Sequence, residues 1–145
     1  MNKDHHAEFS SATRDARSPF VLVVDDEQRI ADTLAMILSS KGYTSQAAYS
    51  GVTALAICGN CIPDLLLTDV VMPGMNGIEL AMAVRRDFPA CKVLLFSGQA
   101  ATAEMLEEAS SRGYDFELLA KPVHPLELLD KVSELIGRPA AHAAP

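Results

Sequence analysis

Short apolar runs alternate with stretches in which apolar residues return every three or four positions, and the alternation repeats five times. The first run, Phe20-Val-Leu-Val-Val24, is apolar throughout and largely β-branched, the pattern of a strand buried on both faces of a parallel sheet. Ile30, Leu34, Ile37 and Leu38 then recur at helical spacing, and Lys41-Gly42 closes that helix. Tyr43 to Ala48 forms a second, weaker strand, after which Ser50 is positioned to N-cap a short helix carrying Val52, Leu55 and Ile57. Leu65-Leu-Leu67 is the third strand, entered through the turn-like Pro63-Asp64. A helix over 77–88 carries Ile78, Ala81, Met82 and Arg85 on its period and stops before Pro89. Val93-Leu-Leu-Phe96 is the fourth strand, and Met105, Leu106 and Ala109 mark the helix behind it. Phe116-Glu-Leu-Leu-Ala120 is the fifth strand. Pro125 opens a last helix whose predicted apolar face is Leu126, Leu129, Val132, Leu135 and Ile136.

Five strand–helix units in succession predict an α/β fold, a parallel sheet with helices on both faces, because parallel strands require crossover connections. Ligands of such sheets bind beyond the carboxyl ends of the strands, where the strand order reverses. Functional residues are therefore expected where each strand stops. Residues 1–18 are polar and aperiodic and read as a flexible N-terminal tail in which His5-His6 are ordinary solvated residues; 138–145 read as a C-terminal tail. Between them, 19–137 form one domain, so any output is expected to act through another molecule.

Charge and cysteine usage narrow the function classes. The net charge of −7, with Lys and Arg scattered apart from the pair Arg85-Arg86, argues against direct nucleic-acid binding and suits a divalent cation or a basic protein surface. No apolar run approaches the roughly 20 residues that cross a bilayer, and no secretory leader is evident, so the expected location is the cytoplasm without membrane attachment. The pair Cys58-Gly-Asn-Cys61 lies at the carboxyl end of a predicted helix, the wrong end of the dipole for a reactive thiol, and no second ligand pair completes a zinc site. Both cysteines read as structural.

The strand ends carry a constellation. The first strand ends in Asp25-Asp26, the third in Thr68-Asp69, the fourth in Ser97-Gly98 and the fifth in Lys121-Pro122. One acidic residue there would be an ordinary helix cap, a role open to Asp26. Several carboxylates on one edge repel one another and call for a cation, and hard oxygen donors suit Mg²⁺, with Mn²⁺ as the alternative. Asp69, central in the run, is the natural nucleophile toward a phosphoryl group; Lys121 and Ser97 supply positive charge and a hydroxyl donor for its oxygens.

The segments Val-Leu-Val-Val-Asp25-Asp26-Glu27, Leu-Leu-Thr-Asp69-Val-Val-Met-Pro73-Gly-Met-Asn-Gly77, Phe-Ser97-Gly and Ala-Lys121-Pro122 together resemble a single-domain bacterial response-regulator receiver of the CheY-like type over residues 19–137. The resemblance implies a flavodoxin-like, doubly wound five-stranded parallel sheet with five helices. It implies phosphotransfer from a sensor histidine kinase or phosphotransfer protein to give a 4-aspartylphosphate at Asp69. It further implies Mg²⁺ held by Asp26, Asp69 and the Val71 backbone carbonyl, with Asp25 in the outer shell, and output through a separate protein target or a second phosphorylated copy. Leu118 departs from the family, which generally has Tyr or Phe three residues before the lysine; the approach to the fifth strand, Arg112 to Glu117, is slightly long.

Two rival functions are weaker. A phosphorylation-independent interaction module predicts loss of an acceptor, metal or lysine residue, and all are present. An aspartyl-nucleophile phosphatase wants an acid two residues after the nucleophile, where Val71 stands. Val71 and Gln99 are expected to flank the path of an attacking water and so to set the lifetime of the phosphorylated state. His124 reads as a helix-start residue, and Met72, Met75 and Met82 as packing.

Overall fold

Strand β1 (Phe20–Val24) is buried at every position and lies between β2 (Thr44–Ala48) on one side and β3 (Leu65–Asp69), the central strand, on the other. β4 (Lys92–Ser97) pairs with β3, and β5 (Glu117–Ala120) closes the far edge. All four pairings are parallel, in the order β2-β1-β3-β4-β5. The computed structural model describes residues 18–98 and 102–139. Most of both predicted tails, including His5 and His6, and Gln99 lie outside the described residues.

Each connection is a helix: α1 (Gln28–Ser40), α2 (Gly51–Asn60), α3 (Gly77–Asp87), α4 (Thr102–Ser111) and α5 (Pro125–Ile136). The two-residue alternation of a strand sends successive side chains to opposite faces and so builds two cores. Phe20, Leu22, Val24, Leu66, Val93 and Leu95 pack with Ala54, Cys58, Ile78, Leu80, Ala81, Val84 and Ala109 of α2, α3 and α4. Val21, Val23, Leu65, Leu67, Leu94 and Phe96 pack with Ala31, Leu34, Leu38, Leu128 and Val132 of α1 and α5. Local signals set the helix ends as expected. Ser50 Oγ accepts from the Thr53 N–H at 3.1 Å, and Gly42 carries a φ of 98° just past the end of α1, a conformation that costs glycine little.

Two predicted helix faces are corrected. Val52 and Leu126 are 70% and 71% exposed; α2 buries Ala54 and Cys58 in place of Val52, and α5 buries Leu128 in place of Leu126, beside the predicted Val132. The cause is the same in both. A residue two positions before a buried one lies roughly 200° around the helix, on the side facing water. The predicted cap role of Asp26 is also corrected: Glu27 is the N-cap of α1, and its N–H donates to Asp25 Oδ1 at 2.9 Å.

Candidate functional site

The strand order reverses between β1 and β3, and the acidic residues stand at that point. Asp25 follows β1 directly, held there by its N–H donating to the Ala48 carbonyl at 3.1 Å. Asp69 is the last residue of β3, paired in register with Phe96 of β4. Asp25 and Asp69 are buried and Asp26 is exposed, yet one carboxylate oxygen from each lies within 4.8 Å of the other two.

Among the described residues, one ammonium lies close to this cluster. Lys121 Nζ lies 3.4 Å from Asp25 Oδ2 and 3.3 Å from Asp69 Oδ1, and 5.2 Å from the centre of the Phe96 ring. Lys121 directly follows β5, its N–H donating to the Ser97 carbonyl at 3.0 Å, and the Lys121–Pro122 peptide is cis. The Asp69 carboxylate also accepts the Val70 N–H at 2.9 Å, on Oδ1. Burial pushes both buried carboxyls above their ordinary range; the Asp25 charge raises Asp69 further, while Lys121 and backbone N–H donors pull the other way. Burial pulls the Lys121 pKa down, but the two carboxylates outweigh it and hold it above its ordinary value.

The loop after β3 is fixed by a glycine. The Gly77 N–H donates to the Val70 carbonyl at 2.7 Å. A Cβ at this position would overlap the Asp69 carbonyl group and approach the Val70 Cα to 2.8 Å. Only glycine lets the start of α3 lie directly on the backbone of Asp69. Asn76 caps that helix reciprocally: its Oδ1 accepts from the Glu79 N–H at 2.8 Å while Glu79 Oε1 accepts from the Asn76 N–H at 2.9 Å. Val71 lies two residues beyond Asp69 with its side chain 44% exposed.

Ser97 ends β4, buried, and its Oγ lies 2.7 Å from Thr102 Oγ1 at the start of α4. The structure thus brings Asp25, Asp26, Asp69 and Lys121 together, with Ser97 at the end of the adjoining strand. Sequence reasoning missed Thr102, because nothing in the interval from 98 to 102 signals which residue returns to the strand end. It also missed Thr68, whose hydroxyl donates to the Asp69 carbonyl at 2.9 Å; the signal there was a polar residue on a fully buried strand. Away from the site, burial pushes the Cys58 thiol up to about 11, which makes Cys58 a poor nucleophile at neutral pH.

A parallel sheet of this order, with acidic residues at its switch point and a lysine just past the fifth strand, defines a receiver-type domain. The chain belongs to the response regulator receiver domain family, which it matches over residues 21–133. It is 30% identical over 118 residues to the DNA-binding response regulator MtrA of Mycolicibacterium paratuberculosis, covering 81% of this chain and 51% of that protein. It is 31% identical over 118 residues to the response regulator MprA of Mycobacterium ulcerans, with 81% and 50% covered. The chain therefore spans about half the length of the curated relatives it matches. Among solved structures, a CheY-like receiver domain protein from Methanospirillum hungatei superposes with a TM-score of 0.73 at 30% identity, covering 81% of this chain and 92% of that one. Vibrio cholerae CheY4 gives 0.73 at 28% identity, with 81% and 98% covered.

Receiver domains of this family typically bind Mg²⁺ in an acidic pocket, and the residues here fit that ion. The donors are hard carboxylate oxygens, they converge, and exposed Asp26 leaves the cluster open to solvent. Among the described residues no helix is long and apolar enough to cross a membrane.

Proposed function

We propose that this domain is a phosphorylation-controlled switch in which Asp69 accepts a phosphoryl group from the phosphohistidine of a sensor kinase or phosphotransfer protein. The observation that carries the reading is the convergence of Asp25, Asp26 and Asp69 within 4.8 Å, with Lys121 Nζ at 3.3–3.4 Å from two of them. Val70 and Lys121 engage Asp69 Oδ1, which leaves Oδ2 as the attacking oxygen. That oxygen forms a bond to phosphorus in line with the departing group, the donor's phosphorus–nitrogen bond breaks, and the imidazole leaves with the electron pair. The carboxylate needs no base, being ionised already at neutral pH.

Lys121 holds an equatorial phosphoryl oxygen, and the Ser97 hydroxyl donates to another. Bound Mg²⁺, held by Asp26, Asp69 and the Val71 carbonyl with Asp25 outside them, would neutralise the charge gathering on those oxygens. The domain is not an enzyme acting on a separate substrate: it catalyses its own phosphorylation and, through water, its own dephosphorylation. It works in the cytoplasm and signals by presenting the face of α4, β5 and α5 to a separate protein or to a second copy. The net charge of −7 disfavours direct contact with nucleic acid.

Intact mass after incubation with acetyl phosphate and Mg²⁺ tests this. One added phosphoryl group is expected, lost with EDTA and lost in Asp69→Asn. Failure with both acetyl phosphate and a phosphorylated histidine donor would leave the phosphorylation-independent module as the better reading.

A further inference from the structure

Gly51 is the first residue of α2, buried, and directly follows the capping Ser50. It is not among the glycines with a positive φ, so its backbone conformation is open to any residue. What forbids a side chain is space. A Cβ there would stand 2.8 Å from Met75 Sδ, 3.0 Å from its Cγ and 3.1 Å from its Cβ. The sulfur can swing aside, but the Met75 Cβ cannot retreat without its backbone. Met75 lies in the loop that also carries the Val71 carbonyl. Resting on the acceptor and metal reading above, we propose that Gly51 is a positioning residue. By admitting the Met75 side chain, it seats the acceptor loop at the distance from Asp25 and Asp26 that closes the divalent-cation site.

The platform under Met75 is tied to the other half of that site. The Asp25 N–H donates to the Ala48 carbonyl at 3.1 Å. One residue further on, the Tyr49 hydroxyl donates to Asp32 Oδ1 of α1 at 2.6 Å, and Ser50 then caps α2. Residues 48–51 are thereby fixed to the loop and helix that follow β1.

On the other side, the acceptor loop is a turn closed by the Gly77 N–H on the Val70 carbonyl. Between those two residues Met72 and Met75 pack onto the apolar core, while Val71, Pro73 and Gly74 are exposed. A loop with two anchors takes its position from both, so displacing Met75 turns the segment about Met72 and carries the Val71 carbonyl with it. Mg²⁺ demands near-ideal octahedral geometry and punishes such a shift.

Mn²⁺ binding to the full chain, read from the electron paramagnetic resonance signal of the free ion, tests the link at a temperature where melting curves show each protein folded. The wild type is expected to bind Mn²⁺, and Gly51→Ala to bind it several-fold more weakly. Met75→Ala, which makes no clash but empties the seat, should weaken binding by a similar factor. The double variant should bind no worse than Met75→Ala, because both changes break one contact. Phosphoryl uptake from acetyl phosphate should be slow in Gly51→Ala at limiting Mg²⁺ and approach the wild-type rate at saturating Mg²⁺. If Gly51→Ala does not fold, Met75→Ala carries both measurements. Wild-type affinity in either folded single variant, losses that multiply in the double variant, or uptake that stays slow at saturating Mg²⁺ overturns this link alone. A wild type that binds no Mn²⁺ overturns the metal reading and this link with it.

Discussion

Gly77 and Asp69 are eight residues apart in sequence and in van der Waals contact through their backbones. A methyl group at Gly77 must move either α3 or the carbonyl of Asp69, and that carbonyl also accepts the Thr68 hydroxyl. Gly77→Ala is therefore expected to lower stability by about 1–3 kcal/mol, the usual cost of an overpacked site. It should also slow phosphoryl uptake, because the strain falls on the acceptor residue itself. Urea unfolding and intact mass read the two effects separately; a fully stable variant that reacts at the wild-type rate would show that the loop yields without cost. Asp25, Asp69 and Lys121 were legible in the sequence because strand ends can be read from apolar runs, and chemistry in parallel sheets gathers there. Thr102 was not, since a loop's path back to a strand end follows no period. Gly77 was legible only as part of a resemblance; the steric reason for it exists only once α3 is folded onto β3.

At the scale of elements, the acceptor loop is held from its far end by the cap of α3. The reciprocal bonds between Asn76 and Glu79 satisfy two backbone N–H groups that the helix itself leaves unpaired. Asn76→Ala removes one and should cost about 1 kcal/mol, whereas Asn76→Gly should cost only a few tenths, as glycine suits an N-cap without a side-chain bond. Thermal melts of the two variants check that order; equal losses would mean that the side chain matters for something besides the cap. Elements as such were well marked in the sequence: all five strands and all five helices fall where the apolar patterns put them, to within a few residues at their ends. What the pattern could not give was helix phase at the ends of α2 and α5. An apolar side chain near a terminus, such as Val52 or Leu126, fits the period loosely, and only packing against the sheet decides its side.

For the molecule as a whole, the acidic edge is a trade of stability for chemistry. Burial raises the pKa of Asp25 and Asp69 above the ordinary 3.8, the Asp25 charge raises Asp69 further, and Lys121 offsets only part of this. The folded protein thus binds protons that the unfolded chain has already released, over the range from 3.8 upward. By linkage, stability from these groups is present at acid pH and falls as pH rises through that window, the reverse of an ordinary salt-bridged carboxylate. Lys121 has the opposite sense: its raised pKa contributes stability that is complete below 10.5 and lost only above it. At neutral pH without a divalent cation the two carboxylates therefore repel at a cost. Removing one charge should help, so metal-free Asp69→Asn is expected to melt a few degrees above the wild type at pH 7, a shift of about 1 kcal/mol for a domain of this size. The gap should close as pH is lowered through the raised carboxyl range toward the ordinary 3.8, because the folded wild type takes up protons there. Millimolar Mg²⁺ should raise the wild-type melting temperature at pH 7, since a ligand of the folded state alone stabilises it, and should do little for Asp69→Asn. Melting curves of both proteins across pH, with EDTA or Mg²⁺, separate these effects. A difference that stayed constant with pH would mean that Lys121 alone balances the cluster and that a cation is not required to keep its charges together.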